Sequence, residues 1–416
     1  MVARITRIKV IRTRATATWV IVKVFTDQPG LYGIGSAHDY NATGAVVAAL
    51  EEWMAPRLIG RDPAMIEDIW QSTFTSGYWR SGPTLNAALA GIDIALWDIK
   101  GKEAGLPVYQ LLGGPVRAAV PCYAHAVGDT LDALIDDVRR YIEDGWQYIR
   151  CQVGAYGGGG FVPAKRPHVP DPSLTPWGHD WPTWPGGQAF DDDTYIENAV
   201  AMFARLRDEI GYAPKLTHDV HEHLRPTSAV TLAKRLEPYR LFFLEDVLPP
   251  EQIAWYRQIR QQCATPQAVG ELFTNVQEWL PLIAERLIDF IRCRVSKVGG
   301  ITPAQKVAHL AEAFGVQTAW QEGGNTDPVN LTAAMHLDMT THAFGIQEEN
   351  WFSEAELEAF PGHPVLAGGY LYPNARPGLG IDIDEDKAAA LVDAVRARRP
   401  RYLVEDRRAD GSVIRP

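Results

Sequence analysis

The sequence predicts an α/β protein: a (β/α)8-type barrel preceded by an N-terminal α+β capping domain. Three observations carry this reading. Residues 4–36 alternate apolar with polar side chains and then give way to helical periodicity, the order of an α+β domain. From residue 120 onward, short apolar runs alternate with helix-like segments, as in successive βα units. Within that region Asp219, Glu245 and Glu271 each close an apolar run and recur at an interval of 26 residues, the size of one βα unit. The length of 416 residues fits, since such a barrel takes about 250 and leaves enough for one smaller domain.

Taken in order, residues 5–13, 16–26 and 31–36 read as an antiparallel meander, with the turn Asp27-Gln28-Pro29-Gly30 before the third run. Residues 42–58, 62–75 and 84–104 are helical in period, with Thr43, Asp62 and Thr84 as caps or first-turn residues. The capping domain is expected over residues 1–114 and the barrel over 115–360. Eight barrel strands are expected at 120–126, 147–153, 215–221, 241–246, 267–272, 288–295, 317–322 and 344–348. About 60 residues separate the second from the third, far beyond an ordinary βα connection.

That interval holds Gly157-Gly158-Gly159-Gly160 and Trp177, Trp181 and Trp184 among prolines. The glycine tract lacks the Lys-Ser/Thr of a phosphate loop, so residues 154–190 read as a lid over the barrel mouth, with the tryptophans protected when substrate binds. Residues 361–416 carry Gly368-Gly369, an irregular stretch at 373–380 and a last helix at 385–398, a tail expected to pack back on the capping domain.

Composition narrows the function. A formal net charge of −11 with interspersed signs argues against a nucleic-acid or anionic-membrane surface. The cysteines, Cys122, Cys151, Cys263 and Cys293, are far apart without a CxxC pair, and read as small buried residues in a reducing compartment. The opening residues run straight into alternating strand, and no apolar run is long enough to span a bilayer. A cytoplasmic enzyme acting on a small molecule, with no nucleic-acid or membrane partner, is the expected class.

Any one of the three carboxylates could be a solvated loop acid. Three at equal intervals, at the C-terminal ends of parallel strands, would converge where barrels build active sites. Their repulsion then calls for a cation between them. Oxygen ligation favours a hard ion, Mg²⁺ above Mn²⁺ or Ca²⁺. Glu222, Asp246 and Glu251 lie close in sequence and read as neighbours of the ligands or as surface residues.

Ala88-Leu89-Ala90-Gly91-Ile92-Asp93-Ile94-Ala95-Leu96-Trp97-Asp98-Ile99-Lys100-Gly101-Lys102, followed by Leu106-Pro107-Val108-Tyr109-Gln110-Leu111-Leu112-Gly113-Gly114, resembles the enolase superfamily, mandelate racemase branch. The likeness covers nearly the whole chain. His218-Asp219-Val220-His221-Glu222, Leu244-Glu245-Asp246, Gly270-Glu271 and Gly299-Gly300-Ile301-Thr302 are similar to the mannonate dehydratase group.

The resemblance implies a Mg²⁺ enzyme that takes a proton beside a carboxylate, passes through a metal-stabilised enediolate and expels the neighbouring hydroxyl. The product would be a 2-keto-3-deoxy sugar acid. Asp219, Glu245 and Glu271 match the family's metal ligands. His221 matches the acid that protonates the departing hydroxyl, and Arg150 the catalytic basic residue of the second strand. Asn41, His125, Arg292 and Glu348 match substrate-holding positions, with Arg294 on the same face as Arg292. A homo-oligomer is also expected.

Two departures temper the expected rate. Gln321 stands where the family has a seventh-strand histidine, and glutamine can hydrogen-bond but cannot transfer a proton near neutral pH. The family's tyrosine, partner of the second-strand arginine, should fall near Phe161 and Val162, where none stands; Tyr156 is the nearest candidate. A slow sugar acid dehydratase is therefore expected. A racemase, epimerase or other hydroxy-acid lyase, and a catalytically reduced sugar-acid-binding protein, stay open. Arg150-Cys151-Gln152 in place of a Lys-x-Lys counts against lysine-based racemisation.

Overall fold

Alternating side chains at the N-terminus form three antiparallel strands, β1 (Ile5–Arg14), β2 (Thr18–Thr26) and β3 (Tyr32–Ser36), in the order β1-β2-β3. The computed structural model describes residues 2–14, 18–39, 42–154, 172–174, 190–323, 326–391, 408 and 412–414. These fall into two units, one of Met1–Cys122, Gly270–Arg286 and Phe290–Arg396, the other of Tyr123–Val269, Leu287–Asp289 and Ala397–Pro416.

Contacts of one helix explain why later residues group with the N-terminus. The helix Pro83–Ala104 is mostly apolar and is buried over its middle, from Asn86 to Ile99 apart from Trp97. Proline in its first turn and left-handed Gly105 (φ 69°) after its last residue set its ends. It packs under β2 through Val20, Val22 and Val24. β3 comes so close that a Cβ at Gly33 or Gly35 would lie 2.0 or 2.1 Å from the carbonyl oxygens of Ala95 and Gly91. Its Asp93 accepts from the Thr302 N–H at the start of helix Ile301–Phe314, and its Asp98 accepts from the N–H groups of Ile34 and Leu379. Farther along the tail, Asp382 bonds Tyr32, Glu385 pairs with Lys9 and Lys23, and the Thr13 hydroxyl donates to Ala388 O. The last helix is described over Glu385–Ala390; residues 392–398 lie outside the described residues.

The second unit is a parallel sheet. β4 (Val120–Gly128), which begins in the first unit, is followed by β5 (Tyr148–Val153), β6 (Lys215–Asp219), β7 (Phe243–Glu245) and β8 (Gln267–Val269), each paired with the next. Helices Leu131–Glu143, Asp192–Ile210, Pro226–Leu236 and Tyr256–Gln262 fall between them. Thr130 and Asp191 cap the first two by accepting from Ala133 N–H and Thr194 N–H.

Back in the first unit, β9 (Phe290–Ile291) and β10 (Gln317–Thr318) pair in parallel, and Thr318 bridges to Phe344. β11 (Gln347–Glu348) follows, and β12 (Val365–Ala367) and β13 (Tyr370–Tyr372) form a hairpin whose second strand pairs antiparallel with the start of β4. Paired segments are shorter than expected. Residues 288–295, for example, pair only over Phe290–Ile291 before the chain enters helix Val295–Val298. Cys122, Cys151 and Cys293 are buried as expected, whereas Cys263 is half-buried; none of the four is in a disulfide. Among the described residues no helix is long and apolar enough to cross a membrane.

One buried acid gives the first unit a pH-dependent stability. Glu349, directly after β11, is 4 % exposed. Burial pushes its carboxyl up to about 8, against smaller opposing pulls from the Asn350 N–H and the Cys122 thiol. Between 4.5, the ordinary glutamate value, and about 8 the folded chain therefore holds a proton that the unfolded chain has released. Stability from this group is complete below the lower value and is lost as pH rises across the window. Glu349→Gln should accordingly flatten the fall in melting temperature between about pH 5 and 8; superimposable curves would contradict this.

Candidate active site

The ends of β6 and β7 place two acids side by side. Asp219 and Glu245 are partners in the parallel register, 1 % and 0 % exposed. Beyond them the backbone turns sharply: His221, Glu222 and Asp246 take φ values of 54°, 57° and 38°. Left-handed conformations are costly for residues other than glycine and cluster at functional sites. They also explain why pairing stops at Asp219 and Glu245 rather than continuing to 221 and 246 as expected. The turn is held by the His221 N–H donating to Asp219 Oδ1 (2.9 Å), the Val220 N–H to Glu245 O (3.0 Å) and the Glu222 N–H to Asp246 O (2.8 Å). The His221 side chain is left half-buried, two residues beyond buried Asp219.

β4 and β5 add a cation. His125 is in register with Arg150, and Arg150 with Thr217. The Arg150 guanidinium reaches Asp219 Oδ2 (3.1 Å) and lies 3.8 Å from Glu245 Oε1. Its Nη2 donates to His125 Nδ1 (3.3 Å). Arginine can only donate, so a neutral His125 ring carries its proton on Nε2. The Tyr123 hydroxyl donates to Glu245 Oε2 at 3.3 Å. Sequence reading missed Tyr123, although it lies two residues before His125 and therefore on the same strand face.

His218, next to Asp219, points the other way. Burial pulls its ring down to about 4, so it is neutral, donating from Nδ1 to Cys151 O and accepting from the Tyr195 hydroxyl, both at 2.9 Å. It is a core histidine.

The first unit carries the other candidates. Arg292, fully buried, pairs with Glu348 at 3.2 Å, and Glu348 Oε2 also accepts from the Glu322 N–H (2.9 Å). Arg294 instead donates through Nε to Gln321 Oε1 (2.5 Å), which separates two arginines that strand alternation puts on one face. Gln321 is thus fixed with its amide oxygen on Arg294. Glu322 is fully buried, its carboxyl raised by burial to about 7 despite Arg294, Thr326 and Asn330. Glu271 follows left-handed Gly270 (φ 135°) and is half-buried. Asn41, Tyr156, the four-glycine tract and Trp177, Trp181 and Trp184 lie outside the described residues, as does all of the expected lid except residue 154, Pro172–Leu174 and residue 190.

Residues 4–113 match the mandelate racemase/muconate lactonizing enzyme N-terminal domain, and residues 133–387 the enolase C-terminal domain-like family. Fold and site together define a member of that branch of the enolase superfamily, an α/β barrel protein with an N-terminal α+β capping domain. More narrowly, the chain belongs to the D-galactonate dehydratase family, a family of hydro-lyases. It is 57 % identical to the family member Pjdr2_1176 of Paenibacillus sp. (strain JDR-2) over the full length of both chains. It is 47 % identical to RspA of Pantoea ananatis (strain LMG 20103) over 95 % of each. An enolase from Pantoea ananatis, solved with D-gluconate and Mg bound, superposes with a TM-score of 0.91 at 46 % identity, covering all of both chains.

Proposed function

We propose that this chain is a Mg²⁺-dependent dehydratase of six-carbon aldonates that turns over slowly, with D-gluconate as the substrate of first choice. The observation that carries this reading is the pairing of buried Asp219 and Glu245 directly ahead of the turn bearing His221. The D-gluconate and Mg in the Pantoea ananatis structure support the choice of substrate and ion. Relatives carry a galactonate name, so D-galactonate and D-mannonate belong in the same assay.

The donor set suits the ion. Two buried carboxylates against one guanidinium, offering only oxygen, favour a hard divalent cation. Asp219, Glu245 and Glu271 would hold it. Bound there, Mg²⁺ supplies Lewis acidity that makes the proton beside the substrate carboxylate removable. Arg150 adds positive charge where negative charge develops. The C2 proton passes to Tyr156. His221 gives its proton to the C3 hydroxyl, the C3–O bond breaks with its electron pair going to oxygen, and water leaves. The resulting enol takes a proton from water at C3, gives up its C2 hydroxyl proton to solvent and becomes the 2-keto-3-deoxy acid. Asn41, His125, Arg292, Gln321 and Glu348 hold the remaining hydroxyls.

Gln321 accounts for slow turnover, because an amide held on Arg294 holds a hydroxyl but cannot exchange a proton, which leaves Tyr156 and His221 without the help a histidine there would give. A well-placed acid or base contributes about 10² to 10⁴ in rate. Gln321→His should therefore raise kcat on D-gluconate by at least about tenfold. No gain, together with D-gluconate binding but no turnover by the native chain, would instead favour a sugar-acid-binding protein. We further propose a cytoplasmic homo-oligomer with residues 1–114, 115–360 and 361–416 as cap, barrel and tail.

A further inference from the structure

The turn that presents His221 is strained, and strained backbone persists only where its surroundings over-determine it. His221 and Glu222 lie side by side at positive φ. On the strand side they are held by Asp219 and Asp246, as described. The residue that follows them, His223, is met at its carbonyl oxygen by Arg408, 185 positions farther along the chain. Arg408 donates from Nη1 to Asp192 Oδ1 and from Nη2 to His223 O (3.4 Å). Asp192, 6 % exposed, accepts with its other oxygen from the Arg225 N–H (3.0 Å), the residue ahead of helix Pro226–Leu236.

Rings also meet at this junction, tilted against one another. Arg408 bridges in parallel to Phe190, the Phe190 ring lies 5.5 Å from that of His223, and the His223 ring lies 5.7 Å from that of His221 at 35°. His223 Nδ1 donates to Val220 O at 3.2 Å. One guanidinium therefore ties the end of the His221 turn both to the start of helix Asp192–Ile210 and, through Asp192, to the start of the next helix.

We infer that Arg408 is a positioning residue for the acid step, holding His223 and through it the turn that aims His221 at the leaving hydroxyl. The inference rests on the reading of His221 given under the proposed function. Its chemistry supplies a discriminating probe. A C3 hydroxyl must receive a proton as its bond to carbon breaks. A C3 fluorine departs as fluoride with the bonding pair and needs none. Misplacing His221 should therefore slow loss of water from D-gluconate but not loss of fluoride from 3-deoxy-3-fluoro-D-gluconate, since both lose the same C2 proton.

With Mg²⁺ present, Arg408→Ala should lower kcat for D-gluconate by about 10²-fold with KM changed little, the scale expected of a displacement near 1 Å. Fluoride release should stay within about twofold of the native rate, and Arg408→Lys, which can keep one of the two contacts, should recover part of the lost kcat. Equal slowing of both substrates would reduce Arg408 to a merely structural residue and overturn the inference, as would no slowing of either. Should Arg408→Ala fail to fold, Arg408→Lys carries the same comparison. His221→Asn is run in parallel. If it loses water elimination and keeps fluoride release while the Arg408 variants do neither, the inference alone fails. If it keeps native dehydration, the reading of His221 fails with it.

Discussion

Replacing His221 by Asn abolishes dehydration of D-gluconate while leaving its binding close to native. Asparagine is of similar size and tolerates the left-handed conformation that His221 adopts at φ 54°, so the turn keeps its shape and its N–H stays on Asp219. What it lacks is a proton to give at neutral pH. The expected loss in kcat is on the order of 10² to 10⁴. In a chain as slow as proposed, that brings turnover to background. Steady-state rates and calorimetric D-gluconate affinity, measured on both chains with Mg²⁺, check this. An Asn variant with native kcat would move the acid elsewhere.

Removing Glu245 has the second large effect, on the metal rather than the proton. A ligand that binds only the folded chain stabilises it by about 2.7 kcal/mol at a hundred times its Kd. The native chain should therefore melt several degrees higher in saturating Mg²⁺, and Glu245→Ala should show no such increment. The readout is a difference within one variant, because Glu245→Ala also strips a partner from the Tyr123 hydroxyl and a charge from beside Arg150. That damage lowers both melting points equally. A variant whose Mg²⁺ increment matches the native one would remove Glu245 from the site.

Why the acids were legible and their surroundings were not has a physical basis. An apolar strand ending in a carboxylate leaves a mark that repeats with the βα unit, and that mark located Asp219 and Glu245, which the register then set side by side. Left-handed turns leave no such mark when the residues are His221, Glu222 and Asp246 rather than glycine, so the predicted strands ran too far. Alternation put Arg292 and Arg294 on one face, but only the fold assigns one to Glu348 and the other to Gln321. Asp93 and Asp98 stood inside a recognisable motif, yet the backbone N–H groups they accept, from Thr302, Ile34 and Leu379, come from distant segments. Arg408 was invisible for the same reason, since a contact across 185 residues has no local pattern.

The proposed function requires that this chain dehydrate an aldonate with the help of a divalent ion. The most direct test follows D-gluconate, D-mannonate and D-galactonate by proton NMR with the purified chain, first in excess Mg²⁺ and then after chelation. Slow appearance of a 2-keto-3-deoxy acid is expected from at least one of them, D-gluconate foremost, and none once the metal is removed. Turnover that is indifferent to chelation, or no product from any of the three over many hours, would contradict it.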